Sequence, residues 1–405
     1  MNLILFDSDS IRKNLLPFTF TRPVAEIRIG INTIAQKWER AFSSQPSYLT
    51  PDYLAKKFPL KTSPSNWVVN GAVCPNAELL AAIENLKDGE ALVKGGILLA
   101  GKCDSNTLAQ FKENLEGFND YFQCKPYNST ITILQNLWDI FEFNGDAIRH
   151  DFELITKDRT SQKINDPHTK TYNSHQIFIE EGAKIKAAVL NAEAGPIYIG
   201  KNAEVMEGSF IRGPFAACEN STVNMGTKVR GDTTIGPYSK VGGEISNVVI
   251  LGYSNKGHDG FLGNAVIGEW CNLGAATNAS NLKNTYGSIK LWNYAHKKMI
   301  DSGRQFCGLI MGDHSRCGIN TMFNTGTVVG VGTNVYGAGF PPKFIPSFSW
   351  GAASGGGDFS TYQLDKFLAT ARIMMQRRNK IMDIEEEKIL THIFEQTVAF
   401  RAREI

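Results

Sequence analysis

The stretch IGKNAEVMEGSFIRGPFAACENSTVNMGTKVRGDTTIGPYSKVG, residues 199–242, decides the fold. Ile199, Val205, Ile211, Ala217, Val223, Val229, Ile235 and Val241 place an apolar residue at every sixth position. An α-helix repeats every 3.6 residues and a half-buried strand every two, so neither explains this period. Two later blocks keep it: Phe261, Ile267 and Leu273, then Met311, Cys317, Phe323, Val329 and Val335. Of the 16 positions that follow these residues, 8 are glycine (Gly200, Gly236, Gly242, Gly268, Gly274, Gly312, Gly318 and Gly330). A random placement of glycine would give about one or two. Asn224 and Asn324 fill two more. Glycine and asparagine tolerate left-handed backbone angles, so a corner is expected directly after each inward residue. Short strands turned at such corners stack into a left-handed parallel β-helix of hexapeptide repeats. A glycine-rich sandwich would show period two and hairpin turns instead.

Outward from this stretch, the period lapses between Leu273 and Met311, and an insertion there is expected as a loop on the working face. After Val335 the prolines and glycines of residues 337–358 end the repeats. A helical tail follows, with capping-box spacing at Ser360 and Gln363 and an apolar stripe through Leu364, Phe367, Leu368, Ala371, Met375, Ile381, Ile384, Ile393 and Phe394. The tail is expected to cover the last coil. Towards the N-terminus the pattern alternates: an apolar run at Leu3 to Phe6, a helix from Val24 to Arg40, a strand from Trp67 to Asn70 and a helix from Glu78 to Leu86. The expected division is an α/β domain over 1–155, a polar linker over 156–176, the β-helix over 177–345 and an exit loop with helical cap over 346–405.

Composition excludes several classes of function. Of the 38 glycines, 29 fall between Gly195 and Gly357, which rules out a collagen-like or low-complexity chain. A net charge of +2 gives no broad basic field for nucleic acid. No apolar run is long enough for a membrane span, and Asp7 ends the first apolar run too early for a signal peptide, so a cytoplasmic protein is expected. Seven cysteines without a C-x-x-C pair read as buried thiols. The seven histidines hold no pair separated by four residues, which excludes a zinc-bearing β-helix of the carbonic anhydrase kind.

A β-helix is a scaffold, so chemistry must come from side chains that protrude from it. His258, in SNKGHDGFLGN (residues 254–264), lies between in-phase positions and should project at a coil edge. The segment around it, residues 253–287, resembles the acetyltransferase domain of bifunctional glucosamine-1-phosphate N-acetyltransferase/N-acetylglucosamine-1-phosphate uridylyltransferases. The motif residues are Lys256, Gly257, His258, Phe261, Asn272, Leu273, Gly274, Ala275 and Asn281. Residues 308–332 are similar to that family's closing coils. Residues 4–31 and 137–156 are similar to a Bacteroidetes-type branch in which a sugar nucleotidyltransferase is fused to this β-helix. The resemblance implies that His258 is the general base for acetyl transfer. Arg230, Lys256, Phe261, Asn272 and Asn281 would bind the amino-sugar phosphate, and Ala275 and Ala276 would border acetyl-CoA. It also implies a homotrimer with the site between neighbouring β-helices. Phe261 stands where the family commonly has tyrosine, which removes one hydroxyl contact to the sugar.

The N-terminal half departs further from the family. Sugar nucleotidyltransferases place a G-x-G-T-R loop after the first strand and use an aspartate to bind Mg2+. Here residues 6–23 read FDSDSIRKNLLPFTFTRP, and NGAVCP (residues 70–75) offers Ala72 at the metal position. Arg12, Lys13, Arg22 and Arg28 are the basic residues available for a UTP phosphate, and Asp7 or Asp9 for the metal. Three readings stay open: acetyl transfer by the β-helix with uridylyl transfer by the N-terminal domain, nucleotidyl transfer alone with a β-helix that only oligomerises or binds a regulator, or a non-catalytic scaffold.

Overall fold

The computed structural model describes residues 2–352 and 359–401. The chain folds into two compact units, one of residues 1–27 and 32–136, the other of residues 28–31 and 137–405. The exit loop expected over 346–405 falls partly outside the described residues, at 353–358.

The first unit is built on a mixed six-stranded sheet. Its strands are β1 (Asn2–Phe6), β2 (Ser47–Leu49), β3 (Ser65–Asn70), β4 (Glu90–Lys94), β5 (Ile97–Asp104) and β6 (Gln123–Pro126), in the order β2-β1-β3-β5-β4-β6. The β1 strand is parallel to both β2 and β3, as its apolar run requires of a strand covered on both faces. Phe6, Phe111 and Phe122 form an edge-to-face aromatic core beside it. The helix expected from Val24 begins only at Ile34. Thr33 and Gln36 form a reciprocal capping box there, and Gly30 just before it has φ 74°, which no helix accommodates.

The second unit is the parallel β-helix. Inward side chains line up coil by coil, as in Val205, Val223 and Val241, each 18 residues after the last, and all are buried. Six successive rungs of one face are β7 (Thr222–Val223), β8 (Lys240–Val241), β9 (Asn255–Lys256), β10 (Asn272–Leu273), β13 (Arg316–Cys317) and β14 (Asn334–Tyr336), paired in that order. The lapse in the period is a hairpin, β11 (Lys290–Asn293) against β12 (Lys298–Asp301), rather than an open loop. Trp292 on it stacks on Phe344 at 4.1 Å.

The corners work differently from the sequence expectation. The glycine directly after each inward residue is not the left-handed one, since that conformation falls two positions later, at Asn202, Asn220, Tyr238, Trp270 and His314 (φ 53–61°). The glycine is needed because coils stack closely. A Cβ at Gly236 would lie 2.2 Å from the Leu251 carbonyl oxygen, and one at Gly330 would lie 2.3 Å from the Ser347 nitrogen. The left-handed corner residues form a stack instead: Tyr238, Tyr253, Trp270 and His314 lie face to face at 5.1, 4.3 and 6.2 Å. These distances approximate the ~4.8 Å spacing of hydrogen-bonded strands.

Helix α1 (Asn144–Thr156) belongs to this unit, its Ile148, Phe152 and Ile155 packed with Phe178 and Ala216. So does the short segment from Arg28 to Ile31. The Gly30 and Ile31 amides donate to Asn144 and Asp151, and Thr234 donates to the Gly30 carbonyl. The tail consists chiefly of α2 (Leu364–Gln376) and α3 (Ile384–Gln396). The expected Ser360–Gln363 capping box does not form. Ser360 lies in a short strand pairing antiparallel with Ser349–Ala352, and its hydroxyl donates to the Trp350 carbonyl. Helix α3 is capped by Asp383, whose carboxylate accepts from the Glu386 amide. Phe367 of α2 packs edge-on against Phe348, while Ile381 and Ile384 of the anticipated stripe are exposed.

Candidate active site

The row of outward side chains on the β8–β9–β10–β13 face is fixed by register: Lys240 beside Asn255, Asn255 beside Asn272, Asn272 beside Arg316. Strand pairing spaces them at ~4.8 Å per coil, so Lys240 and Arg316 lie roughly 14 Å apart along the axis. They floor a groove of about 760 Å³, walled on one side by Met374, Arg377 and Arg378 at the end of α2 and bordered by Tyr253 and Trp270 of the aromatic stack. Arg378 donates to the Asn255 side chain at 2.7 Å, and Asn255 reaches Asn272 at 3.5 Å. Among the described residues, four cationic side chains line the groove and no carboxylate does. Burial holds the guanidinium pKa of both Arg316 and Arg378 below its ordinary value. Such a surface favours an elongated, multiply anionic ligand.

His258 is exposed on the rim of this groove, in the turn that carries the chain from β9 to the next face. Asn272 and Ala275 line the same groove, and Ala276 takes the adjoining left-handed corner (φ 56°). The remaining candidates lie elsewhere. Arg230 is exposed and pairs with Glu244 at 3.3 Å, Glu244 is the rung neighbour of Phe261, and Asn281 donates to Asn264 at 2.8 Å. Arg230, Phe261 and Asn281 occupy the strand face that follows the His258 turn. The structure therefore sorts the candidates into a groove set and a flat-face set, with His258 at the corner between them.

Lys256 joins neither set. It occupies the inward row, between Val241 and Leu273, and is 2% exposed. Its ammonium donates to the main-chain carbonyls of His258 at 2.5 Å and Gly242 at 3.1 Å, so it does not reach a sugar outside the coil. The coil from Val241 to Lys256 has 15 residues instead of 18, and this shortening turns the lysine inside. Nothing in the motif spacing itself signals that turn.

In the first unit Asp7, Arg12 and Arg22, anticipated as metal and phosphate ligands, are buried in the fold. Arg12 is buried and donates to Asp7 at 2.8 Å, to the Arg22 carbonyl at 3.1 Å and to Tyr53 at 2.7 Å. Asp7 also accepts from the Val24 amide and the Thr50 hydroxyl, and burial pushes its carboxyl pKa up against the opposing pull of Arg12. Arg22 is buried, and Lys13 is exposed beside Asp9 at 3.4 Å. Arg28 belongs to the second unit, where it donates to the carbonyls of Leu251 and Ile31. With Asp7 consumed and Ala72 at the other position, only the exposed Asp9 remains of the carboxylates anticipated for Mg2+. Among the described residues, no group of three or more His, Cys, Asp or Glu side chains could hold a metal. No described helix is long and apolar enough to cross a membrane.

Comparison with known proteins finds matches by sequence and by structure. A family described as sugar nucleotidyl transferase matches residues 3–160. A bifunctional sugar-1-phosphate nucleotidylyltransferase/acetyltransferase of Sulfurisphaera tokodaii is 30% identical over 160 residues, 39% of this chain and 37% of that protein. The bifunctional protein GlmU of Trichodesmium erythraeum is 30% identical over 127 residues, 31% of this chain and 22% of its own. The chain thus spans well under half the length of these relatives. Among solved structures, an Arabidopsis UDP-N-acetylglucosamine acyltransferase aligns over 58% of this chain and 93% of its own at 12% identity and a TM-score of 0.25. The polysialic acid acetyltransferase NeuO aligns over 49% and 85% at 16% identity and a TM-score of 0.25. By sequence, the chain is similar over part of its length to a bifunctional sugar-1-phosphate nucleotidylyltransferase/acetyltransferase, and residues 3–160 match the sugar nucleotidyl transferase family.

Proposed function

We propose that the β-helix transfers an acetyl group from acetyl-CoA to the amine of glucosamine 1-phosphate, with His258 as general base. The observation that carries this reading is the position of His258 on the rim of a cationic groove whose described lining residues include no carboxylate. Acetyl-CoA is long and polyanionic, which suits a row of Lys240 and Arg316 roughly 14 Å apart, flanked by Arg377 and Arg378. In the reaction His258 takes a proton from the sugar ammonium, the amine attacks the thioester carbonyl, the C–N bond forms and the C–S bond breaks. The coenzyme thiolate then leaves, and the second proton lost by the new amide nitrogen protonates it. Asn272 would orient the acceptor, and Ala275 would leave room for the pantetheine arm. A homotrimer follows from the same reading. Side-by-side packing would set a flat face bearing Arg230, Phe261 and Asn281 against a neighbour's groove, completing the sugar-phosphate site.

His258→Ala is expected to lower acetyl transfer by at least about 10²-fold with the thermal transition unchanged. Retained transfer in a folded variant would exclude His258 as the base. For the first unit, the match over residues 3–160 supports uridylyl transfer to the acetylated product. Asp7 and Arg12 are engaged with each other, so any triphosphate contact falls to other side chains. Incubation with N-acetylglucosamine 1-phosphate, UTP and Mg2+ tests that half alone. Activity there without acetyl transfer would select the reading in which the β-helix only oligomerises.

A further inference from the structure

The inward row of the β-helix runs Ile185, Val205, Val223, Val241, Lys256, Leu273, Cys317, Val335, and only one of these side chains carries a charge. An ammonium among Val241, Leu273 and Cys317 is costly unless its hydrogen bonds offset the loss of water. Both bonds it makes go to main-chain carbonyls on either side of one corner: Gly242 on the preceding coil and His258 itself. The same turn is held from outside, where the Asn224 side chain donates to the Gly257 carbonyl at 2.7 Å. The turn from Gly257 to Gly260 makes its remaining close approaches through glycines, and Gly260 itself has φ 118°. Glycine supplies no side-chain packing to fix the imidazole's backbone.

We infer that Lys256 is a positioning residue that clamps the main chain of His258 from inside the coil and so fixes where the imidazole meets the groove. This rests on the reading of His258 as the base. The lysine touches neither groove nor solvent, and its bond to the His258 carbonyl is charge-assisted, so it is stronger than the amide contacts of an ordinary turn. Burial lowers the ammonium pKa to about 8, and the titratable groups that face it are Asp259 in the same turn and the Cys317 thiol on a neighbouring coil. The clamp therefore weakens above pH 8, when the charge is lost.

Lys256→Met tests this, because methionine fills an inward apolar position and cannot hold the carbonyls. The expected result is faster amide hydrogen exchange across 257–260, a thermal transition no lower than wild type, and kcat reduced at least about 10-fold. KM for both substrates should stay within about twofold, and the alkaline fall of kcat above pH 8 should disappear. Unchanged exchange overturns the clamp, and faster exchange with unchanged kcat overturns the positioning role. If Lys256→Met does not fold, Lys256→Leu, which likewise fills the inward position without a donor, is measured in its place against the same outcomes. Activity retained in His258→Ala, or absent in the wild type, would remove the catalytic reading and the positioning role with it. Hydrogen exchange would then still decide whether the clamp exists.

Discussion

Lys256 also has a consequence for stability. In the unfolded chain it titrates near its ordinary value of 10.5, and in the folded chain near about 8. Between these values the unfolded chain holds more protons, so the lysine's contribution to stability rises with pH across that window and is a constant cost below it. The advantage in melting temperature of Lys256→Met over wild type should be largest below pH 8 and shrink toward pH 10.5, which thermal unfolding at pH 7, 9 and 10 would read. Gly242 supports the same corner from the neighbouring coil. A Cβ there would lie 2.6 Å from the Gly257 carbonyl oxygen, so Gly242→Ala should destabilise by about 1–3 kcal/mol and slow acetyl transfer. A denaturant midpoint equal to wild type would contradict this. The turn that carries His258 was legible from its motif alone. The inward turn of Lys256 was not, because it depends on three residues missing from one coil.

At the level of elements, the insertion between Leu273 and Met311 is a brace. Trp292 stacks on Phe344 and meets Phe400 edge-on at 6.4 Å, and none of these rings lines the groove. Trp292→Ala should lower stability by about 1–3 kcal/mol and leave kcat and KM at permissive temperature unchanged. Altered kinetics would show that the hairpin reaches the site. Helix α2 has the opposite role, since it brings Arg377 and Arg378 to the groove. Reversing both charges, Arg377→Glu with Arg378→Glu, should raise KM for acetyl-CoA at least about 10-fold with a smaller change in kcat, an effect that fades at high salt. Equal KM values would place the coenzyme elsewhere. The sequence displayed α2 as an amphipathic stripe, which accounts for its buried Phe367 and Ala371. It was silent on the arginines, because the residues a helix presents to a groove depend on where its apolar face docks.

Over the whole molecule, the two units have to be assayed separately. The first is matched by a sugar nucleotidyl transferase family, yet its Asp7–Arg12 pair is spent on holding β1, the Val24 amide and Thr50 together. The second draws in Arg28–Ile31 and α1 from the N-terminal half of the chain, where the sequence suggested a boundary near residue 155. Sequence reasoning places boundaries at changes of period, whereas these segments join the solenoid through the buried Thr234–Gly30 hydrogen bond and the packing of Ile31 and α1 on Phe178 and Ala216. The sequence by itself determined the β-helix, because a period of six with glycine beside the inward residue is a local constraint repeated in every coil. It also singled out the turn around His258, because a turn motif is contiguous. Only the tertiary structure decided which glycines relieve inter-coil contact, that Lys256 faces inward, and that α2 completes a cationic groove. Each of these depends on what the next coil or a distant helix brings within a few ångströms, and no spacing along the chain encodes that distance.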